Sequence, residues 1–313
     1  MIISASRRTD IPAHYSRWFF QRIQEKHVYV RNPMNTHSVS KLCLEPESVD
    51  CIVFWTKNPG PMLDKLEALK DYSWYFQFTL TPYESDVEAN LPPKAEIIDT
   101  FKKLSDRSSP SRIIWRYDPV LITAKYNLAY HIDKFGEMAE SLSGYTEKII
   151  FSYIDFYKRV VKGLGTSEMT FDQKNIIAEK FSKIASAKGM SLETCAEDVD
   201  LSRYGIARGR CIDDALIAKI AGRDFSAKRD RNQRLHCGCV QSVDIGQYDS
   251  CANGCLYCYA NRSDALARAN VARHDASSPL LIGGLDPRDT ISERKTPGEK
   301  ARGANDGQMR LVF

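Results

Sequence analysis

Three cysteines, Cys251, Cys255 and Cys258, fall within eight positions of one another in "YDSCANGCLYCYAN" (248–261). Thiolates are the soft ligands of zinc and of iron–sulfur clusters, so three on one short stretch can share an inorganic centre. Spacings of four and three also mark one face of a helix, which would make the same residues a buried small-residue stripe. Asn253 and Gly254, between the first two cysteines, favour a turn with positive φ and hence a loop on which the sulfurs converge. A four-iron cluster normally takes four protein ligands. Three leave one iron open, where a small molecule can bind. A zinc ion would need a fourth ligand, and Cys237, Cys239 and His236 stand nearby for it.

Six further cysteines complete the nine in the chain. Cys237 and Cys239 flank Gly238 just upstream of the loop, with Cys195 in "ETCAED" and Cys211 in "GRCIDD" further back. Two readings stay open for these four: an auxiliary cluster, or a buried strand residue and three loop thiols. Cys43 and Cys51 are remote from the rest, and Cys51 opens an apolar run, so both read as structural. An odd number of cysteines cannot all pair. The N-terminus "MIISASRRTD" has its charges after its apolar residues, the wrong order for a secretory signal, and no apolar run reaches the ~18 residues of a membrane span. The expectation is a cytoplasmic protein with no membrane partner, in which clustered thiols mean metal. A net charge of +4 and pI near 8.5 neither demand nor exclude a nucleic-acid partner.

The elements that would position these residues alternate along the chain. β-Branched and aromatic runs occur at 2–6, 51–57, 75–81, 112–118, 148–155 and 191–198. Between them, helical spacing spans 14–26, 60–71, 94–106, 128–143 and 171–189, and a shorter stretch covers 212–222. Near-continuous apolar strands separated by helices predict a parallel sheet, here a full or partial α/β barrel of roughly six or seven strands. A last β-like run, "SVDIGQY" (242–248), leads into the cysteine loop, and 256–273 reads as the helix after it. One domain is expected over 1–286, with a cysteine-rich cluster segment at about 235–275, and an extended or partly disordered tail over 287–313.

Nearly every strand ends in polar or charged residues: Arg7, Arg8 and Asp10; Lys57; Thr81; Arg116 and Asp118; Asp155, Lys158 and Arg159; Glu193 and Glu197. In a barrel such ends meet on one face, where active sites are built. Trp55, Trp74, Trp115, Tyr117, Tyr153 and Tyr157 lie in or beside the strands, where core packing is the default and nucleobase stacking the alternative. His14, His27, His37, His131 and His274 lie apart from the cysteines in sequence, and no Ser-His-Asp order or Gly-rich phosphate loop is present.

The spacing Cys251-x3-Cys255-x2-Cys258, with Tyr257 before the last cysteine, resembles the signature loop of radical S-adenosylmethionine enzymes. The segments "SRRTDIP", "FWTKNP", "WRYDP", "ETCAE" and "SVDIG" with the cysteine run resemble the bacterial family known as domain of unknown function 1848, over residues 2 to about 261. The first resemblance implies a barrel, a [4Fe-4S] cluster on the three cysteines, and S-adenosylmethionine on the open iron. It further implies reductive cleavage to a 5′-deoxyadenosyl radical that takes hydrogen from a substrate. In that superfamily the loop follows the first strand, whereas here it comes after six strand–helix units, so a circular permutation is implied, with "SVDIGQY" beside "IISAS" (2–6).

On that reading Arg7, Arg8, Lys57 and Arg116 would supply the cation for the methionyl carboxylate, Asp10, Asp118 and Glu197 the acceptors, and Tyr257 a packing surface beside cluster and adenine. The superfamily's Gly-Gly-Glu element is incomplete in "LLIGGLDP", where Gly283 and Gly284 read as a plain turn. The permuted first strand then offers Ser4, Ser6, Arg7 and Arg8 for that role. The implied substrate is an unidentified small molecule or nucleic acid, anionic or nucleotide-like. The implied partner is a reductant such as flavodoxin or ferredoxin. The competing expectation is a non-catalytic, nucleic-acid-binding protein stabilised by zinc or an iron–sulfur cluster, with "AKRDRNQR" (227–234) as its basic patch.

Overall fold

The computed structural model describes residues 1–155 and 164–294. Tyr157, Lys158, Arg159 and the tail from 295 lie outside the described residues. The predicted runs become strands β1 (Ile2–Ala5), β4 (Cys51–Thr56), β5 (Trp74–Thr79), β6 (Ile113–Val120), β7 (Lys148–Tyr153) and β8 (Ser191–Thr194). With β9 (Ala207–Arg208) and β10 (Val243–Asp244) they make one eight-stranded sheet in the order β10-β1-β4-β5-β6-β7-β8-β9. Every pairing in it is parallel.

The strand before the cysteine loop does lie beside the N-terminal strand, with Ile3 opposite Val243 and Ser4 opposite Asp244. The ring does not close by strand pairing among the described residues: β9 and β10 are its two edges. A second sheet, absent from the sequence expectations, joins β2 (His27–Arg31) and β3 (Ser38–Cys43) antiparallel and adds β11 (Thr290–Glu293) parallel to β3. The segment expected as a tail therefore begins with an edge strand.

Strand alternation divides the core in two. Ile3, Ile52, Phe54, Phe76, Trp115 and Phe151 face one way, into a cluster that includes Phe135 of α4 (Leu128–Leu142) and Phe181 of α5 (Phe171–Ala187). Those two rings stack at 3.8 Å. Ile2, Val53, Tyr75, Ile114 and Ile150, offset by one residue, face the other way against Cys211, Ile212, Cys237, Cys239 and Val240. A period of two puts successive side chains on opposite faces of a sheet, so one run of apolar residues feeds both layers. The second face is covered by the loosely patterned segment 211–240, including α6 (Asp214–Ala221), and not by a regular outer helix. Tyr75 Oη and Gln77 Nε2 both donate to the Cys211 carbonyl, at 2.8 Å each, and fix that segment across the strands.

Two helical expectations change. Residues 60–69 form a 3-10 helix, entered through Pro59 and with Pro61 in its first turn. The helix after the loop, α7 (Asp264–Val271), begins eight residues later than expected, because Ser263 caps it by accepting from Leu266 N. The residues before it are held instead by Asn261, whose side chain donates to the Cys251 carbonyl at 2.7 Å. Helices α1 (Ile11–His14), α2 (Ser16–Glu25) and α3 (Lys94–Asp106) complete the described set used below. Among the described residues no helix is long and apolar enough to cross a membrane.

Candidate functional site

The carboxyl ends of β1, β4, β5, β6, β7 and β8 surround a cavity of about 400 Å³. Parallel strands bring their ends to one side of a sheet, and a polar residue ending each apolar run lands there together with its neighbours. Cys251, Cys255 and Cys258 all line this cavity, as do Ser6, Arg7, Arg8, Asp10, Lys57, Arg116, Asp118 and Tyr257. Ser4 and Glu197 do not line it. Ser4 is fully buried and donates to Asp244 at 3.1 Å, while Glu197 accepts from Tyr153 N at 2.9 Å and is raised to about 8 by burial. Asp10, expected as a ligand acceptor, is occupied as a staple: it caps α1, takes Lys57 N at 2.7 Å and takes Asn253 Nδ2 at 3.0 Å.

The cysteine loop is anchored from three sides. Gly254 has φ +67, as its Asn-Gly turn requires, and an added Cβ would sit 2.8 Å from Asn90 Nδ2. Asn90 itself donates to the Ala252 carbonyl at 2.8 Å. His14 Nε2 lies 2.8 Å from Asn253 Oδ1, so a histidine remote from the cysteines in sequence touches the loop. Glu88 pairs with Cys255 in an isolated antiparallel bridge, and its carboxylate accepts from Tyr257 Oη, Thr81 Oγ1, Lys57 Nζ and Lys94 Nζ. Burial opposes the ionisation of Glu88, but the two ammonium groups prevail and hold it down to about 2. One buried carboxylate between two lysines leaves a local excess of one positive charge beside the thiols.

Burial pushes the Cys255 thiol up to about 12 against the pull of Lys57, and burial followed by Asp10 and the neighbouring thiols pushes Cys251 up. Without a metal these groups stay protonated, so binding one would release protons. Among the described residues no three His, Cys, Asp or Glu side chains surround one point closely enough to hold a single ion.

Arg7 lies 5.9 Å and Arg116 5.0 Å from the Trp55 ring centroid, so Trp55, among the aromatic candidates, faces the cavity between two guanidiniums. Trp74, Trp115 and Tyr117 belong to the helix-facing core, and Tyr153 packs in that core while also lining the cavity. Trp55 Nε1 and Thr9 Oγ1 are buried and without a hydrogen-bond partner, although both residues line the cavity. Arg116 pairs with Asp118, whose other oxygen takes Ser152 Oγ. The sequence reading missed Glu88, Lys94 and Asp244. Asp244 accepts from Ser4, Ser6 and Arg7 N, and so ties the end of β1 to β10. Gly246 permits this approach, since a Cβ there would meet Ser6 Oγ at 2.1 Å.

Comparison with known proteins agrees with one part of the resemblance. The family model described as "Domain of unknown function (DUF1848)" matches residues 2–260, and the chain belongs to that family. No curated protein matches it. Among solved structures, a Bacteroides thetaiotaomicron protein described as a candidate alpha-L-fucosidase is similar at 13% identity and a TM-score of 0.27. That likeness covers 76% of this chain and 83% of the other, and is too slight to bear on fold or function.

Proposed function

We propose, with membership of this family as the premise, that the chain is a radical S-adenosylmethionine enzyme. The observation that carries the proposal is the placement of Cys251, Cys255 and Cys258: one loop presents all three to a cavity already lined by cations and an aromatic ring. Three thiolates facing one cavity match the three protein ligands of a four-iron cluster that keeps one iron open, whereas a zinc ion would need a fourth protein ligand. The donor set therefore fits a cluster with an open iron. The parallel sheet then reads as a permuted partial barrel, with β10 and its loop in the place of the superfamily's first strand and loop.

When bound, the cluster with S-adenosylmethionine would supply the electron and the radical that abstracts hydrogen. This chain's own residues do the rest. Lys57 and Lys94, paired with Glu88, leave one net positive charge that offsets part of the negative charge of the thiolates. Tyr257 packs against the Tyr83 ring at 5.9 Å and is fixed by Glu88, which sets the angle of the loop between Cys255 and Cys258. Arg7 and Arg8, at the cavity wall, offer guanidinium forks to a carboxylate of the cofactor or of an anionic substrate. The orphaned Thr9 Oγ1 and Trp55 Nε1 are further polar groups there for a ligand to satisfy. A one-electron donor such as flavodoxin or ferredoxin completes the requirement.

The test is anaerobic reconstitution of the full chain with iron and sulfide, followed by dithionite and S-adenosylmethionine. 5′-Deoxyadenosine should form in the native protein and fall at least about 100-fold in C258A, a loss consistent with removing a metal ligand. An intact cluster that yields none would overturn the reading. Tight nucleic-acid binding by such a protein would favour the metal-stabilised, non-catalytic alternative.

A further inference from the structure

Four cysteines outside the loop also converge. Cys195 follows β8, Cys211 follows β9, and Cys237 and Cys239 precede β10; all four line the same cavity as the loop. Their sulfurs form a continuous row. Cys195 Sγ lies 3.4 Å from Cys211 Sγ, Cys211 is hydrogen-bonded to Cys239, and Cys239 to Cys237. Cys211, Cys237 and Cys239 are more than nine-tenths buried.

Three of the four sulfurs also accept hydrogen bonds from N–H groups. Arg116 Nη1 donates to Cys211 Sγ at 2.6 Å, Ile212 N to Cys239 Sγ at 3.4 Å, and Arg234 Nη2 to Cys195 Sγ at 3.9 Å. N–H groups aimed at sulfur are the shell that stabilises metal-bound thiolates and sets their potential. Arg116 is 4% exposed and has one carboxylate, Asp118, beside it.

We propose that Cys195, Cys211, Cys237 and Cys239 ligate a second iron–sulfur cluster, separate from the one on the loop. Four cysteines are the protein ligand set of an iron–sulfur cluster, and the N–H groups on three of these sulfurs match the donors that such a cluster carries; four cysteines can also hold one zinc ion, which a sulfide count tells apart. The four ligands come from three segments: Cys195 and Cys211 follow β8 and β9, and Val240 N, donating to the Ile212 carbonyl at 3.1 Å, holds Cys237 and Cys239 against them, so the site exists only in the folded chain. It does not depend on radical chemistry at the loop: the four thiols would hold their cluster whatever the loop does.

Iron, acid-labile sulfide and zinc are to be counted per chain in anaerobically purified, iron- and sulfide-reconstituted protein, for the native sequence, for C251A/C255A/C258A and for C237S/C239S. The triple variant should keep about half of the native iron and sulfide, and C237S/C239S should lose the other half. As a control against misfolding, native protein is treated with iodoacetamide before and after acid release of metal. Cys195, Cys211, Cys237 and Cys239 should be modified only after release, and their peptides identified by mass. A triple variant with no iron, one with zinc but no sulfide, or full alkylation of the four thiols in the native holoprotein would each overturn the second cluster. Absence of 5′-deoxyadenosine from the reconstituted native protein, with the triple variant still brown, would leave this site standing and sink only the reading of the loop.

Discussion

Cys251, Cys255 and Cys258 lie on one loop, whereas Cys195, Cys211, Cys237 and Cys239 are gathered from three segments, and the two sets owe their geometry to different forces. The loop trio takes its shape from local turns: an Asn-Gly pair, the Cys258 N to Cys255 O hydrogen bond at 3.1 Å, and a clamp from Asn261. What it lacks is a fixed place in the fold, and buried charge supplies that through Glu88, Lys57 and Lys94. In the dispersed four, the register of β7 with β8 and of β8 with β9 sets where Cys195 and Cys211 fall, and the hydrogen bond from Val240 N to the Ile212 carbonyl brings Cys237 and Cys239 to them. A site written locally depends on a few outside contacts, while one written across a sheet depends on the sheet.

Replacement of Glu88 by Gln is the change expected to separate the sets most. Glu88 is 2% exposed and pairs with two lysines, and loss of one partner from a buried ion network costs about 3–5 kcal/mol. Urea denaturation of E88Q should show a loss of that order. Iron counts should fall towards those of the triple cysteine variant, with the dispersed set retained. Equal loss from both sets would mean that Glu88 supports the whole fold and not the loop.

The same contrast explains what the sequence revealed. Strands β1, β4, β5, β6, β7 and β8 were legible because β-branched and aromatic runs such as "CIVFWT" and "KIIFSY" carry their own signal, and the cysteine loop because its spacing is contiguous. The pairing of β10 with β1 was reached only through a resemblance; Val243–Asp244 is too short a strand to declare itself. Glu88 was invisible for a physical reason: it sits in an irregular segment 167 positions before Cys255 and gains its role only when β5 delivers that segment to the loop. Arg116 was legible as a polar residue in an apolar strand, but its contact with Cys211 was not. The mistaken expectations at 60–69 and 256–263 share a cause, since apolar spacing says nothing of the capping and proline effects that decide where a helix starts.

Acid should separate the two regions next. His131 is fully buried, its Nδ1 2.8 Å from Tyr117 Oη and its Nε2 2.8 Å from the Leu121 carbonyl, and burial lowers it from 6.5 to about 4. The unfolded chain then binds a proton that the folded chain refuses between those values, so stability is complete above pH 6.5 and declines as pH falls towards 4. The loss is on the order of 3 kcal/mol by pH 4. Tyr83 stands between His131 and Tyr257, with ring separations of 5.8 and 5.9 Å, so the loop side is the part that loosens. Urea midpoints measured at pH 7 and pH 5 should fall for the native chain and change less for H131Q. A midpoint that moves equally in both would show that His131 is not the titrating group.

The smallest effect expected is also the most local. Gly254 holds φ +67, where an L side chain is strained, and a methyl group there would press on Asn90 at 2.8 Å. G254A should cost about 1–3 kcal/mol from the backbone alone. Two companion variants divide that loss. G254N keeps a residue that tolerates the left-handed region and should recover part of it, while N90A/G254A removes the crowded amide but not the strained φ. If the double variant were as stable as N90A, crowding and not backbone strain would be the reason for glycine. In each of these variants the iron held by the dispersed cysteines should stay at its native level, because nothing in the turn touches the sheet register that places them.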